Sequence, residues 1–285
     1  VQTARGEVQL AREGDGTPVL AVHGGPCGFD QGLAWCRHLR DAGCEVLAPS
    51  RPGYLRTPLP SGRTPQNQAD LYAALLDALG IERVAVLAFS SGGPSAVYFA
   101  ARHPARVSAL FLDSAILLPF EAPISALQRA AIQSGLPVWF SYQMAKRRPV
   151  LMARFVLDGV STGLTKQQRK AAIDWVISDP ARLRSLTEQL ISNAPAEHRK
   201  TGWTNDQTNE INLAPLPFAD VAAPTLIALG DSDAFIPLEH ATNAAATITG
   251  AGLIMVAEGH HMLSLSRTYA RVAQRQLDLL ARPAQ

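Results

Sequence analysis

The 285 residues carry 26 Lys and Arg against 24 Asp and Glu, a formal net charge of +2, with 47% hydrophobic and 18% charged residues. A chain of this length buries a sizeable core, and this balance excludes both an intrinsically disordered chain and a membrane-spanning one. The cations are scattered, so no nucleic-acid footprint is present, and the short cluster Lys146-Arg147-Arg148 reads as a solvated face.

Apolar runs of strand length alternate with helical patterns from the N-terminal side. Residues 18–23 (PVLAVH) predict a buried strand, and 33–42 (LAWCRHLRDA) a helix ended by Gly43. A strand at 45–48 is followed by a strongly apolar helix at 69–79, stopped by Gly80. Residues 84–89 (VAVLAF) predict the next strand, 94–103 a helix closed by Pro104, and 107–112 a fourth strand. Such alternation implies parallel strands joined by crossover helices, and near-continuous apolar strands imply a sheet covered on both faces.

The alternation fails from residue 116 to about 217, where the patterns are helical or loop-like. It resumes with a strand at 224–229, a helix near 240–247, a strand at 253–257 and an amphipathic helix at about 267–280. The expected organisation is an α/β core of residues 1–115 and 218–285, interrupted by a helical insertion, 116–217. Cys27, Cys36 and Cys44 show no CxxC or Cys/His zinc spacing, so neither a disulfide framework nor a metal site is expected. A reducing, cytoplasmic setting is favoured. No signal peptide or 18-residue apolar span occurs, and Val1 rather than Met stands first, which leaves room for an upstream segment.

The stretch 87–93, LAFSSGG, joins a predicted strand to a predicted helix. A serine there is either a helix cap or a nucleophile held at a strained strand-to-helix elbow. At such an elbow the residues two before and two after the nucleophile approach closely and must be small. For Ser90 they are Ala88 and Gly92; for Ser91 they are Phe89 and Gly93, which would force a phenyl ring into the tight side. Sterics select Ser90. Pro94 suits the first helical turn, and the helix N-terminus directs free N–H groups toward a developing anion.

A serine hydroxyl needs a base to take its proton, and the base needs a carboxylate to orient it. The loop GDSDAFIP, after the strand at 224–229, offers Asp231 and Asp233 at the same sheet edge as Ser90. The loop EGHHMLSLS, after the strand at 253–257, offers His260 and His261. Asp113, at the end of another strand, is the weaker substitute acid.

With these residues the chain resembles the α/β-hydrolase fold superfamily over nearly its whole length. VHGGP is similar to its oxyanion loop, LAPSRPGY to a strand-turn motif on the neighbouring strand, and LAFSSGG…AARHP to its nucleophile elbow and following helix. ALGDSDAFIP resembles its Gly-x-x-Asp loop, which places the acid at Asp233, and HMLSLS its histidine segment, a register that favours His261 over His260. The resemblance implies that residues 116–217 form a cap, or lid, and that His23 is structural. The aromatic residues Trp139, Phe140, Phe155 and Trp175 are expected to fill the cap core or line its underside. Cys27 is expected near the pocket mouth without activation, His103 as a structural residue at a helix end, and Tyr54 within possible reach of the pocket.

The expected chemistry is that of a serine hydrolase acting on a small-molecule carboxylic ester through an acyl-enzyme on Ser90. His261 serves as base, Asp233 holds its tautomer, and the backbone N–H groups of Gly25 and Ser91 bind the oxyanion. This requires no metal or organic cofactor. Carbon–carbon bond hydrolases and perhydrolases share such a triad and fold, and they remain alternatives, as does a ligand-binding member without turnover. HGGP is also similar to the loop of proline iminopeptidases, but Ser50-Arg51-Pro52-Gly53 departs from that branch's pattern. A serine argues against the epoxide hydrolase and dehalogenase branches, which use an aspartate nucleophile. No feature of the sequence assigns an oligomeric state.

Overall fold

In the computed structural model, which describes residues 1–281, the chain begins with a short hairpin of β1 (Gln2–Thr3) and β2 (Gly6–Glu7). The main sheet follows: β3 (Leu10–Glu13), β4 (Pro18–Val22), β5 (Glu45–Pro49), β6 (Val84–Phe89), β7 (Val107–Asp113), β8 (Thr225–Gly230) and β9 (Gly252–Val256). Their spatial order is β3-β5-β4-β6-β7-β8-β9. Only β3 runs antiparallel, pairing Leu10 with Pro49 and Glu13 with Val46 at one edge. This strand and the hairpin have no counterpart among the predicted elements, because their short, polar segments carry little periodicity.

Alternate side chains of each central strand enter different cores, which is why the strands read as unbroken apolar runs. Val84, Val86 and Ala88 pack with α3 (Pro65–Leu79), α4 (Gly93–Arg102) and α11 (Leu238–Thr247). Ala85, Leu87 and Phe89 pack on the other face, with α1 (Phe29–Trp35), α2 (Arg37–Asp41) and α12 (Ala270–Leu280). Local signals set the boundaries. Thr64 caps α3 by accepting from the Asn67 N–H, Pro65 occupies its first turn, and Gly80 ends it at φ +66°. The predicted helix 33–42 is two helices broken at Cys36, where ψ is 10°. The break turns Trp35 under the sheet, stacked on Phe89 at 3.8 Å between ring centroids.

Between β7 and β8 come six helices: α5 (Ala126–Gln133), α6 (Gly135–Arg147), α7 (Pro149–Val160), α8 (Lys166–Ile177), α9 (Pro180–Ile191) and α10 (Lys200–Ile211). Ala153, Leu157, Ile173, Val176 and Leu186 form their shared core, which Leu265 of the sheet domain closes. Trp139, Phe140 and Phe155 do not join that core; each is more than half exposed. The reason lies in the packing: α6 and α7 turn the small residues Ala145 and Ala153 inward, which places the aromatic rings on the opposite faces. Trp175 is half-buried, with the Arg182 guanidinium stacked 3.9 Å from its ring centroid.

The last of these helices, α10, docks tightly on the sheet domain. Its Gly202 N–H donates to the Gly53 carbonyl at 2.9 Å, and a Cβ on Gly202 would lie 2.2 Å from the Tyr54 ring. Glycine is therefore required there for the close approach. The contact brings Trp203, Asp206 and Glu210 into the interior beside the C-terminal ends of β4 and β6.

Candidate active site

Ser90 follows the last residue of β6 and has φ +51°, a left-handed conformation that costs a non-glycine residue roughly 1–3 kcal/mol. Two features hold it there. The Ser90 carbonyl accepts from the Ile116 N–H at 3.0 Å, and Gly92 lets the elbow close on β4, since a Cβ would lie 2.5 Å from the Val22 carbonyl oxygen. Ala88 is fully buried and fills the position two residues before.

Asp233 and His261 arrive from the loops after β8 and β9. His261 Nδ1 and Asp233 Oδ2 are 3.0 Å apart, with the Asp233 side chain 1% exposed. Asp233 Oδ1 accepts from the Phe235 and Ile236 N–H groups at 2.8 and 3.0 Å. Burial alone would raise this carboxyl. The neighbouring imidazole, its hydrogen bond and the two N–H donors outweigh burial and hold it below its ordinary value. The His261 ring lies between Phe89 and Phe235, at centroid distances of 5.0 and 5.3 Å.

The alternates occupy different settings. Asp231 accepts from the neighbouring Ser232 hydroxyl at 2.9 Å on the surface. Fully buried Asp113 accepts from Trp35 Nε1, the Tyr269 hydroxyl and Gln276 Nε2, on the face of the sheet that α12 covers. His260 is wholly buried, both ring nitrogens lack partners, and burial depresses its pKa to about 4.

The loop after β4 lies against Ser90. A Cβ on Gly24 would meet Ser90 Cβ at 3.0 Å, and one on Gly25 would meet Trp203 Cδ1 at 2.8 Å and Ser91 Oγ at 3.4 Å. The Gly24 N–H is already engaged by Gln31 Oε1 at 2.8 Å. His23 supports the turn from below: its Nε2 accepts from the Arg51 N–H at 2.9 Å, and its Nδ1 donates to the Gly24 carbonyl at 2.7 Å. Burial and the adjacent Arg51 cation keep its pKa well below the ordinary value, so it stays neutral. Cys27 donates to Asn193 Oδ1, and burial pushes its thiol up to about 12, leaving it unactivated. His103 pairs with Asp70 at a distant helix end.

Behind the glycine turn is a polar cluster that sequence reasoning missed. Arg51 donates to both oxygens of Asp206, at 2.8 and 2.6 Å, and the Tyr54 hydroxyl donates to Asp206 Oδ2 at 2.5 Å. One turn further along α10, Glu210 is nearly buried. Desolvation and the negative charge of Asp206 raise its pKa to about 7, while the Ser91 hydroxyl and Arg51 oppose the rise. Acids at 206 and 210 lie on one helical face, but apart from Trp203 and Ile211 the sequence of α10 is polar and gives no clear sign that this face is buried. Tyr54 thus braces the cluster.

Two cavities lie near this site, one within the helical segment and one on its seam with the sheet domain. One, of about 300 Å³, is lined by Gly135, Trp139, Tyr142, Ala194, Pro195 and Glu197. The other, of about 420 Å³, lies among Asp30, Arg37, Arg40, Tyr142 and Glu188. Neither is lined by Ser90, Asp233 or His261. Among the described residues, no group of three or more His, Cys, Asp or Glu side chains is placed to hold a metal ion, and no helix is long and apolar enough to cross a membrane.

A serine at a strained elbow, an Asp–His pair and a glycine turn, all at the C-terminal edge of a mostly parallel sheet, define the architecture of a hydrolase of the α/β type. The chain belongs to the alpha/beta hydrolase fold family, whose profile matches residues 17–268. It is similar to an alpha/beta hydrolase fold protein from Nakamurella multipartita, with a TM-score of 0.92 and 36% identity over 98% of this chain and 97% of that one. The hydrolase YcgS of Bacillus subtilis is 29% identical over 96% of this chain and 95% of its own length. A 2-hydroxy-6-oxononadienedioate/2-hydroxy-6-oxononatrienedioate hydrolase of Dechloromonas aromatica is 27% identical over 78% of this chain and 72% of its own.

Proposed function

We propose that this hydrolase cleaves a small-molecule carboxylic ester by way of an acyl-enzyme on Ser90. The observation that carries the reading is the Asp233–His261 pair at 3.0 Å, oriented by two backbone donors, at the sheet edge where Ser90 is held at φ +51°. As Ser90 Oγ attacks the carbonyl carbon, His261 Nε2 takes its proton, while Asp233 fixes the tautomer with the proton on Nδ1 and steadies the imidazolium. The imidazolium then protonates the departing alkoxide. Water, deprotonated by His261, releases the acid and restores Ser90. Catalytic hydrogen bonds of this kind are often long until substrate enters, and the mechanism requires the Ser90–His261 contact to form in the complex.

The oxyanion is received by the N–H groups of Gly25 and Ser91. The Gly24 N–H is occupied by Gln31, which favours Gly25 as the donor from the loop. The 116–217 segment acts as a cap whose α10 backs this hole through Trp203 and Glu210.

Relatedness to a hydrolase of a 2-hydroxy-6-oxo dienedioate raises carbon–carbon cleavage as a second reading. A dianionic substrate calls for free cations, yet buried Arg51 and Arg199 near the turn are paired with Asp206 and Asp30. That pairing favours an ester without carboxylates. In the test, Ser90→Ala abolishes labelling by a fluorophosphonate probe and hydrolysis of short-chain nitrophenyl esters, whereas Ser91→Ala retains labelling. Labelling that survives Ser90→Ala refutes the assignment; labelling without ester turnover, alongside cleavage of a dienedioate ketone, moves it to the second reading.

A further inference from the structure

The outward faces of α5, α6 and α7 are apolar without being covered. Leu127, Leu136 and Phe155 are 81%, 75% and 75% exposed, and Trp139, Phe140 and Leu151 are 54%, 59% and 56% exposed. The spacing is helical: Leu136 and Phe140 stand four apart on α6, with Trp139 beside them, and Leu151 and Phe155 stand four apart on α7. The inward stripes, Ala145 on α6 and Ala153 with Leu157 on α7, are fully buried, so these two helices are apolar on both sides. An aromatic ring system presents about 150–250 Å² when bare, so the three rings at these exposures contribute roughly 300–450 Å² by themselves. With the leucines added, the face exceeds the few hundred Å² of a typical monomer's largest apolar patch.

The charge at the corner of α6 and α7 has one sign, while the exposed carboxylate of Glu197 stands at the other end of α6, against Gly135. Lys146, Arg147 and Arg148 are all exposed where α6 meets α7, and among the described residues none of them pairs with a carboxylate. Arg147 continues the outward line of Leu136 and Phe140. Lys146 and Arg147 suit the C-terminus of α6, but Arg148 is the N-cap of α7, where the helix dipole opposes a cation. Local helix energetics therefore do not account for the cluster. The nearby acid Asp158 is already bonded to Arg169 at 3.2 Å. A second copy seated face to face by two-fold symmetry would have to set carboxylates opposite this cluster, and residues 126–160 hold only one, Asp158. Exposed Trp, Phe and Leu rimmed by Lys and Arg match instead the surface of an anionic lipid bilayer.

We propose that the α5–α7 face docks on anionic lipid surfaces, inserting Trp139, Phe140 and Phe155 among the acyl chains while Lys146, Arg147 and Arg148 meet the headgroups. This proposal is independent of the chemistry at Ser90. In co-sedimentation, the protein is expected to bind vesicles of equal parts phosphatidylglycerol and phosphatidylcholine, and only weakly pure phosphatidylcholine. Phe140→Ser with Phe155→Ser should reduce binding to both more than tenfold. Lys146→Gln with Arg147→Gln and Arg148→Gln should remove the anionic preference, weakening that binding by on the order of a hundredfold. Melting temperature and hydrolysis of a water-soluble ester should be unchanged in both variants. Absence of wild-type binding to the anionic vesicles overturns the proposal, as does a concentration-dependent dimer in ultracentrifugation that Phe155→Ser dissolves.

Discussion

Replacing Glu210 by Gln keeps the size and hydrogen-bonding reach of a side chain that lies almost wholly inside the protein, and removes its proton equilibrium. In the folded chain desolvation and Asp206 raise this carboxyl from the ordinary 4.5 to about 7. The ionised form is thus disfavoured on folding. Below about pH 4.5 both states hold the proton and nothing is lost. Between there and pH 7 the unfolded chain ionises first, and folding stability falls as pH rises. Above pH 7 the loss levels off at about 3 kcal/mol, since each tenfold in proton affinity is worth about 1.4 kcal/mol. The Gln variant has no such titration. Chemical denaturation of both proteins at about pH 5 and pH 8 should show the wild type losing roughly 2–3 kcal/mol relative to Glu210→Gln across that interval. Parallel pH dependences for the two proteins would refute the view that Glu210 is buried beside Asp206 with its charge uncompensated.

Three further outcomes follow from the site. Asp233→Asn keeps the two backbone bonds on Oδ1 but favours the wrong imidazole tautomer, and should lower kcat by about 10⁴ on a nitrophenyl ester with little change in melting temperature. Asp206→Ala strands the buried Arg51 guanidinium and should cost about 3–5 kcal/mol in denaturant unfolding, far more than deletion of the exposed partner in the Lys170–Asp174 pair. His260→Leu should leave probe labelling intact where His261→Ala abolishes it. Because His260 is held neutral, with its pKa depressed to about 4, the wild type should also lose stability relative to His260→Leu as pH falls below about 6.5.

Much of this architecture is legible along the chain because its causes are local. The strands at 18–23, 84–89 and 107–112 announce themselves by apolar runs, and two helix ends by Gly80 and Pro94, whose backbone preferences act over a few residues. The Thr64 cap, which starts α3 at Pro65, four residues before the expected 69, does not enter that expectation. Steric demand within one turn likewise points to Ser90, not Ser91, as the residue of the elbow, where φ is +51°. The edge strand β3 escapes because half its surface is solvated and its partner lies more than thirty residues away. The helix 33–42 breaks at Cys36 for the sake of Trp35, which must reach Phe89 and Asp113.

What only the tertiary structure decides are relations between distant segments. That His261, and not its neighbour His260, meets Asp233 depends on how the loop after β9 turns, a choice that the residues His260-His261 alone leave open. The cluster of Arg51, Tyr54, Asp206 and Glu210 joins positions about 150 residues apart, through an approach that only Gly53 and Gly202 permit. The outward turn of Trp139, Phe140 and Phe155 belongs with these. Both stripes of α6 and α7 are apolar, so periodicity cannot say which faces the core; close packing of the helices on the small residues Ala145 and Ala153 settles it.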